Sequence, residues 1–211
     1  FIGSKTKEID LNGKTMVPGL IEGHAHLMGV GYNLLNLDLM YAQSYDEIVN
    51  MVKERAENTP KGEWILGRGW HQDKWDNSPE RIFRNLPTHH ALSEAVPDHP
   101  VFLSHASGHM ALANAKAMEM AGITKGSDQP AGGEIFMGLD GPTGIFNETA
   151  QREIWKIIPS ETKERASQAL QLAINECIKN GITSFHDAGS GRVIELFKEF
   201  GEKEALKIRL Y

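Results

Sequence analysis

The stretch SETKERASQALQLAINECIKNGITSFHD, residues 160–187, carries one helix and the strand that follows it. Ala166, Leu170, Ala173, Ile174, Cys177 and Ile178 recur on one face at helical spacing, Ser160 stands where a cap is needed, and Gly181 supplies the stop. Residues 182–186 then read as a strand and 193–200 as a second helix. At the end of the chain Leu206, Ile208 and Leu210 alternate with Lys207 and Arg209, the pattern of a half-buried strand. A strand, helix, strand, helix, strand rhythm points to parallel α/β architecture.

Working upstream, residues 133–138 and 143–146 flank Leu139-Asp140-Gly141, a hairpin signal. Residues 111–121 are rich in Ala and Met and stop at Gly122, which predicts a helix after a short strand at Val101-Phe102-Leu103. Residues 67–100 hold Trp70, Trp75, Pro79, Pro87 and Pro97 with weak periodicity, so they read as a long elaborated loop or inserted subdomain. Ser44-Tyr45-Asp46-Glu47 is a capping box, and the helix it opens runs to about Asn58 before Pro60-Lys61-Gly62 breaks it. A strand is expected at residues 63–66, and residues 14–26 read as an extended lead-in to a short strand.

Composition narrows the function. Of 211 residues, 28 are acidic and 22 are Lys or Arg, for a net charge of −6, and no dense basic run is present. That balance disfavours nucleic acid or an anionic membrane surface as a partner and favours a small-molecule substrate. No stretch approaches the roughly 20 consecutive apolar residues of a membrane span. Cys177 is the single cysteine, so an intrachain disulfide is excluded, and its place on the apolar stripe reads as core. The chain opens Phe1-Ile2-Gly3, without an initiator Met or a secretory pattern, and ends on a strand with no successor. Both ends are therefore expected to be internal to a longer gene, with the cytoplasm favoured as location and self-association expected to cover open sheet edges.

The chemistry centres on His24-Ala25-His26, at the end of the lead-in strand. Side chains at i and i+2 of a strand point to the same side, so both imidazoles can converge on one ion. Imidazole suits Zn, Fe, Ni or Mn, and the small residues Gly23 and Ala25 leave room beside it. By itself the spacing also describes a hydrogen-bonding pair.

The run EIDLNGKTMVPGLIEGHAH, residues 8–26, resembles the lead into the barrel of the amidohydrolase superfamily. More narrowly, WILGRGW (64–70), Ser107-Gly108-His109, GPTGIFNE (141–148) and GITSFHD (181–187) occur in the order seen in its YtcJ-like branch, some members of which are called exoenzyme regulatory proteins. The resemblance covers essentially the whole chain. It implies a metal-dependent (β/α)8 TIM barrel, incomplete here, with an inserted subdomain and a remnant of a small β-sandwich at the N-terminus. On that reading residues 1–16 are the sandwich remnant and 17–211 the first part of the barrel, with the insertion at about 67–150. The implied reaction is hydrolysis of an amide-like C–N bond, other than a peptide bond, by water activated on a divalent metal, most often Zn²⁺. His24 and His26 match the first metal ligands and Glu148 the bridging carboxylate. The remaining two histidines and the general-base aspartate of such a site would fall beyond residue 211. No catalytic residue is assigned, and residues 1–211 alone are expected to be inactive.

Each candidate has a plainer alternative. Glu148 also suits the first turn of a helix, where acids favour the dipole. His109 either hydrogen-bonds substrate or caps the helix expected from Ala111. Trp70, with His71, either lines the pocket mouth as a substrate-binding wall or forms an aromatic core for the insertion. Asp187, followed by Ala188-Gly189, either takes part in the chemistry or shapes the turn. His89, His90, His99 and His105 are expected in surface or loop positions. Against the hydrolase stand a non-catalytic regulatory or ligand-binding protein on the same fold and an inactive gene fragment.

Overall fold

The computed structural model describes residues 2–189 and 191–211; the Phe1 that opens the chain lies outside them. Its strands are β1 (Leu20–Ala25), β2 (Leu37–Asp38), β3 (Ile65–Trp70), β4 (Ile82–Phe83), β5 (Leu86–Pro87), β6 (Val101–His105), β7 (Met110–Ala113), β8 (Gly133–Met137), β9 (Pro142–Glu148), β10 (Ile182–Asp187) and β11 (Arg209–Leu210). The helices are α1 (Leu27–Leu35), α2 (Tyr45–Glu57), α3 (His90–Ala95), α4 (Ala115–Ala121), α5 (Arg152–Trp155), α6 (Lys163–Lys179) and α7 (Ile194–Glu202). The chain divides into two units, residues 1–28 with 170–211, and residues 29–169.

The first unit is built on a three-stranded parallel sheet in the order β1-β10-β11. Leu20 pairs with Ile182, Ala25 with Asp187 and Phe185 with Leu210. The β10-α7-β11 passage is the strand, helix, strand unit that the periodicity predicts, and the parallel crossover requires such an intervening segment. Of the face of α6 read from the sequence, Leu170, Ala173, Ile174 and Cys177 are buried, whereas Ala166 is half-buried and Ile178 is exposed. Gly181 ends the segment in the left-handed region, at φ +75°, a conformation that glycine adopts without steric cost. At Gly19 a side chain is excluded for a different reason, since a Cβ would stand 2.2 Å from Thr183 Oγ1. Strands begin only at Leu20 among the described residues, so residues 2–16 contribute none.

The second unit holds a six-stranded mixed sheet in the order β2-β3-β6-β7-β9-β8. β2, β3 and β6 run parallel, and β7, β9 and β8 add antiparallel pairings. Alternate residues feed opposite faces. Val101, Leu103, Leu112 and Ile145 join a core with Ile48 and Val52 of α2 and Leu92 of α3, whereas Phe102, Ala111, Ala113 and Phe146 join another with Ala117 and Met118 of α4 and Ile154 of α5. A sheet covered on both faces has apolar residues at consecutive positions, and its strands then lose the alternation that marks a strand in sequence.

That loss explains the main departure from the predicted elements. Residues 110–113 are strand β7, not the start of a helix, and the helix begins after Asn114. Asn114 is fully buried; its Oδ1 accepts from the backbone N–H of Ala117 at 3.0 Å and of Val101 at 2.9 Å, and its Nδ2 donates to His99 O at 2.8 Å. It caps α4 and ties that cap to β6, so tertiary pairing overrides the helical preference of alanine. Residues 67–100 are more ordered than predicted, holding the end of β3, the β4–β5 hairpin and α3. α6 begins at Lys163, with Thr162 Oγ1 accepting from Arg165 N at 3.2 Å, rather than at Ser160. The sheets are open, and no closed barrel is present among the described residues.

Candidate functional site

His24 lies in the last turn of β1 and His26 immediately after it, before α1. Both side chains are exposed, and among the described residues neither ring nitrogen has a hydrogen-bond partner. The strand end is fixed by its neighbour β10: Ala188 N donates to Ala25 O at 2.7 Å. Asp187 completes the corner, its Oδ1 accepting from Leu27 N at 2.7 Å and its Oδ2 from Gly189 N at 3.0 Å. A carboxylate in that position satisfies a free N–H at the start of α1 and complements the helix dipole. Both Asp187 oxygens therefore serve the turn.

The donor chemistry here fits a first-row divalent ion, since two imidazoles with unengaged nitrogens stand at one strand end. They supply two ligands. Among the described residues, no three His, Cys, Asp or Glu side chains are grouped so as to hold a metal.

Glu148 and His109 belong to the second unit, where the structure brings them together. Glu148 closes β9 with φ +47° and ψ −123°, a backbone conformation rarely taken by a residue with a side chain. Its N–H donates to His109 O at 2.8 Å, and His109 Nδ1 lies 3.0 Å from Glu148 Oε1. Both side chains are more than half exposed, at 68% for His109 and 51% for Glu148. Since the carboxylate only accepts, Nδ1 carries the proton in this pair. His109 does not cap α4, a role that Asn114 fills. An outlying backbone maintained at an exposed carboxylate is the kind of local strain that marks functional positions.

Behind this pair stands a buried aromatic and polar cluster. Trp70 is only 1% exposed, donates from Nε1 to Leu103 O at 2.8 Å, stacks on Trp75 and meets the His105 ring edge-on at 4.6 Å. The structure thus places Trp70 in the core. His71 reaches further outward and lies against His105, with ring centroids 4.5 Å apart.

His105 and His99 depart from the surface positions expected of them: both are buried, because His105 belongs to strand β6 and His99 packs beneath the Asn114 cap. Burial, reinforced by His71, lowers the His105 pKa to about 4. Ser107 N donates to His105 Nδ1 at 3.1 Å, so Nε2 is the protonated nitrogen and donates to Gln72 Oε1 at 3.2 Å. His89, half-buried and stacked on His90, is likewise lowered to about 4, first by burial and then by His90 and Arg81.

Gln151 went unnoticed in the sequence. It is buried, and nothing in its spacing from other polar residues distinguishes it from a surface glutamine. The spacing His105, Ser107, His109 offered no strand signal either, because residues 106–109 form the turn between β6 and β7.

Comparison with known proteins gives the family of the chain. Residues 7–211 match the profile of the Amidohydrolase family. Over 183 residues the chain is 36% identical to the YtcJ protein of Bacillus subtilis (strain 168), covering 86% of this chain and 34% of that protein. It is 33% identical to an N-substituted formamide deformylase of Arthrobacter pascens, covering 85% of this chain and 33% of the other. The crystal structure of an uncharacterized metal-dependent hydrolase from Pyrococcus horikoshii OT3 superposes with a TM-score of 0.63 at 25% identity, over 92% of this chain and 36% of that one. The chain thus spans about a third of the length of the curated relatives it matches. With the profile running from residue 7 to the last residue, across both the His24-Ala25-His26 strand end and the His109–Glu148 pair, the chain belongs to the amidohydrolase family.

Proposed function

We propose that this chain is part of a metal-dependent hydrolase that cleaves an amide-like C–N bond, on an incomplete (β/α)8 barrel whose first strand is β1. The observation that carries the reading is the pair of exposed imidazoles at the carboxyl end of a parallel strand, where barrels of this kind place their chemistry. His24 and His26 would hold a divalent ion, zinc or one similar, with Glu148 as the carboxylate ligand. Such an ion supplies a polarising charge for a carbonyl and a water acidified towards neutrality.

The chain's own residues do the rest. The β1–β10 pairing and the Asp187 corner hold the strand end that carries both imidazoles. His109, with Nδ1–H committed to Glu148, keeps Nε2 as an acceptor that can orient a substrate N–H. Glu148 in turn accepts from that donor through Oε1. Trp70, Trp75 and Tyr45 stack on one another as packed core rather than as a contact surface. The substrate is a small molecule; the formamide cleaved by the Arthrobacter relative is a simple member of the amide class proposed here.

Calorimetric zinc titration tests the ligand set. His24→Ala and His26→Ala are expected to abolish binding and Glu148→Ala to weaken it. Unchanged binding in the two histidine variants would remove the assignment.

A further inference from the structure

We propose that Gln151 is a positioning residue that holds the His109–Glu148 pair in register. The inference rests on the reading of that pair as part of the reaction site. Gln151 follows Glu148 by one turn and is 3% exposed. Its Nε2 donates to Glu148 O at 3.3 Å and to Gly108 O at 3.2 Å. One amide nitrogen, 43 residues along the sequence from Gly108, thus ties the residue next to His109 to Glu148 itself. Its Oε1, by contrast, is buried and has no hydrogen-bond partner among the described residues.

That asymmetry separates a clamp from a packing residue. A glutamine retained only for packing leaves a buried acceptor unsatisfied, which an apolar side chain of the same size would avoid. What methionine or leucine cannot supply is the donor shared between the two carbonyls. Gly108 and Glu148 are both exposed residues, and loss of the donor between them is expected to leave the fold in place.

The pair needs such a clamp because it is assembled from separate elements. Glu148 sits at the end of β9 in its strained conformation, and His109 sits on the β6–β7 turn. That turn is braced from its other side: His109 N donates to Ser107 Oγ at 3.2 Å, and Ser107 Oγ meets His105 Nδ1 at 2.8 Å. Gln151 supplies the remaining tie, from the turn to the carboxylate-bearing strand end.

The test is the protonation pattern of the His109 ring, read from its two ring-nitrogen NMR shifts in metal-free protein at alkaline pH, together with thermal unfolding. In the wild type the Nδ1–H form should dominate. In Gln151→Met that preference should be lost in favour of the Nε2–H form usual for a free imidazole, with the melting temperature unchanged or raised. Gln151→Asn, too short to span both carbonyls, should lose it as well. Retention of the Nδ1–H form in Gln151→Met, or its loss only together with a lowered melting temperature, would overturn the proposal. Because no metal is present, failure here leaves the ligand assignment standing, and failure of the zinc titration leaves this result standing.

Discussion

The two places where chemistry-bearing side chains gather are held in opposite ways. At the end of β1 the backbone is tied down, through Ala188 N to Ala25 O and through Asp187 to Leu27 N, while neither imidazole has a partner among the described residues. Around β6, β7 and β9 the side chains themselves are engaged: His109 with Glu148, Ser107 with His105, His105 with Gln72. A side chain whose nitrogens are uncommitted is ready to take a ligand from outside. One already bonded within the protein acts through its remaining atoms, or by holding a neighbour. Substitutions should therefore remove binding without loss of stability in the first region, and disturb stability in the second.

The largest expected effect on stability is acidification, and it should act on the second unit. His89 and His105 have their pKa values lowered to about 4 in the folded protein, against 6.5 for an unperturbed histidine. The unfolded chain binds more protons between these values, so their contribution is fully present above pH 6.5 and is lost as pH falls towards 4. Urea midpoints measured across that range should fall for the wild type and fall less for His105→Gln. Equal slopes in the two proteins would break the assignment of His105 as a buried neutral group.

A smaller loss is expected at Asn114. Removing its side chain takes away the α4 cap and leaves the Val101 N–H without its acceptor, at a cost of about 3 kcal/mol. Chemical denaturation of Asn114→Ala checks this, and a cost below about 1 kcal/mol, typical of an exposed cap alone, would contradict the buried network.

The smallest change has the opposite sign. Glu148→Gly relieves the positive φ and should raise stability by about 1 kcal/mol while the His109 pairing disappears. Destabilisation would show that the side chain contributes more to the fold than its backbone conformation costs.

Legibility in the sequence followed the range of the forces involved. The helix after Ser44 was readable because its signal is local: Ser44 Oγ accepts from Glu47 N at 3.0 Å, within one turn. The parallel rhythm of β10, α7 and β11 was readable because apolar residues recur at strand or helix spacing within each element. β7 was not, because Ala111 and Ala113 face one core while Leu112 faces another, and only the sheet partners reveal this. His105 was hidden for the same reason. His24 and His26 stood out because two residues of spacing already place them on one side of a strand. Gln151 could not stand out, since its meaning comes from a carbonyl 43 residues away.

The central claim is that the free imidazoles of His24 and His26 hold a divalent ion. X-ray absorption at the zinc edge of the zinc-loaded protein measures that directly. The account predicts outer-shell scattering from two imidazole rings in the wild type, and no protein-bound zinc, hence no such scattering, in His24→Ala or His26→Ala. A spectrum without imidazole scattering, or one that both substitutions leave unchanged, would contradict it.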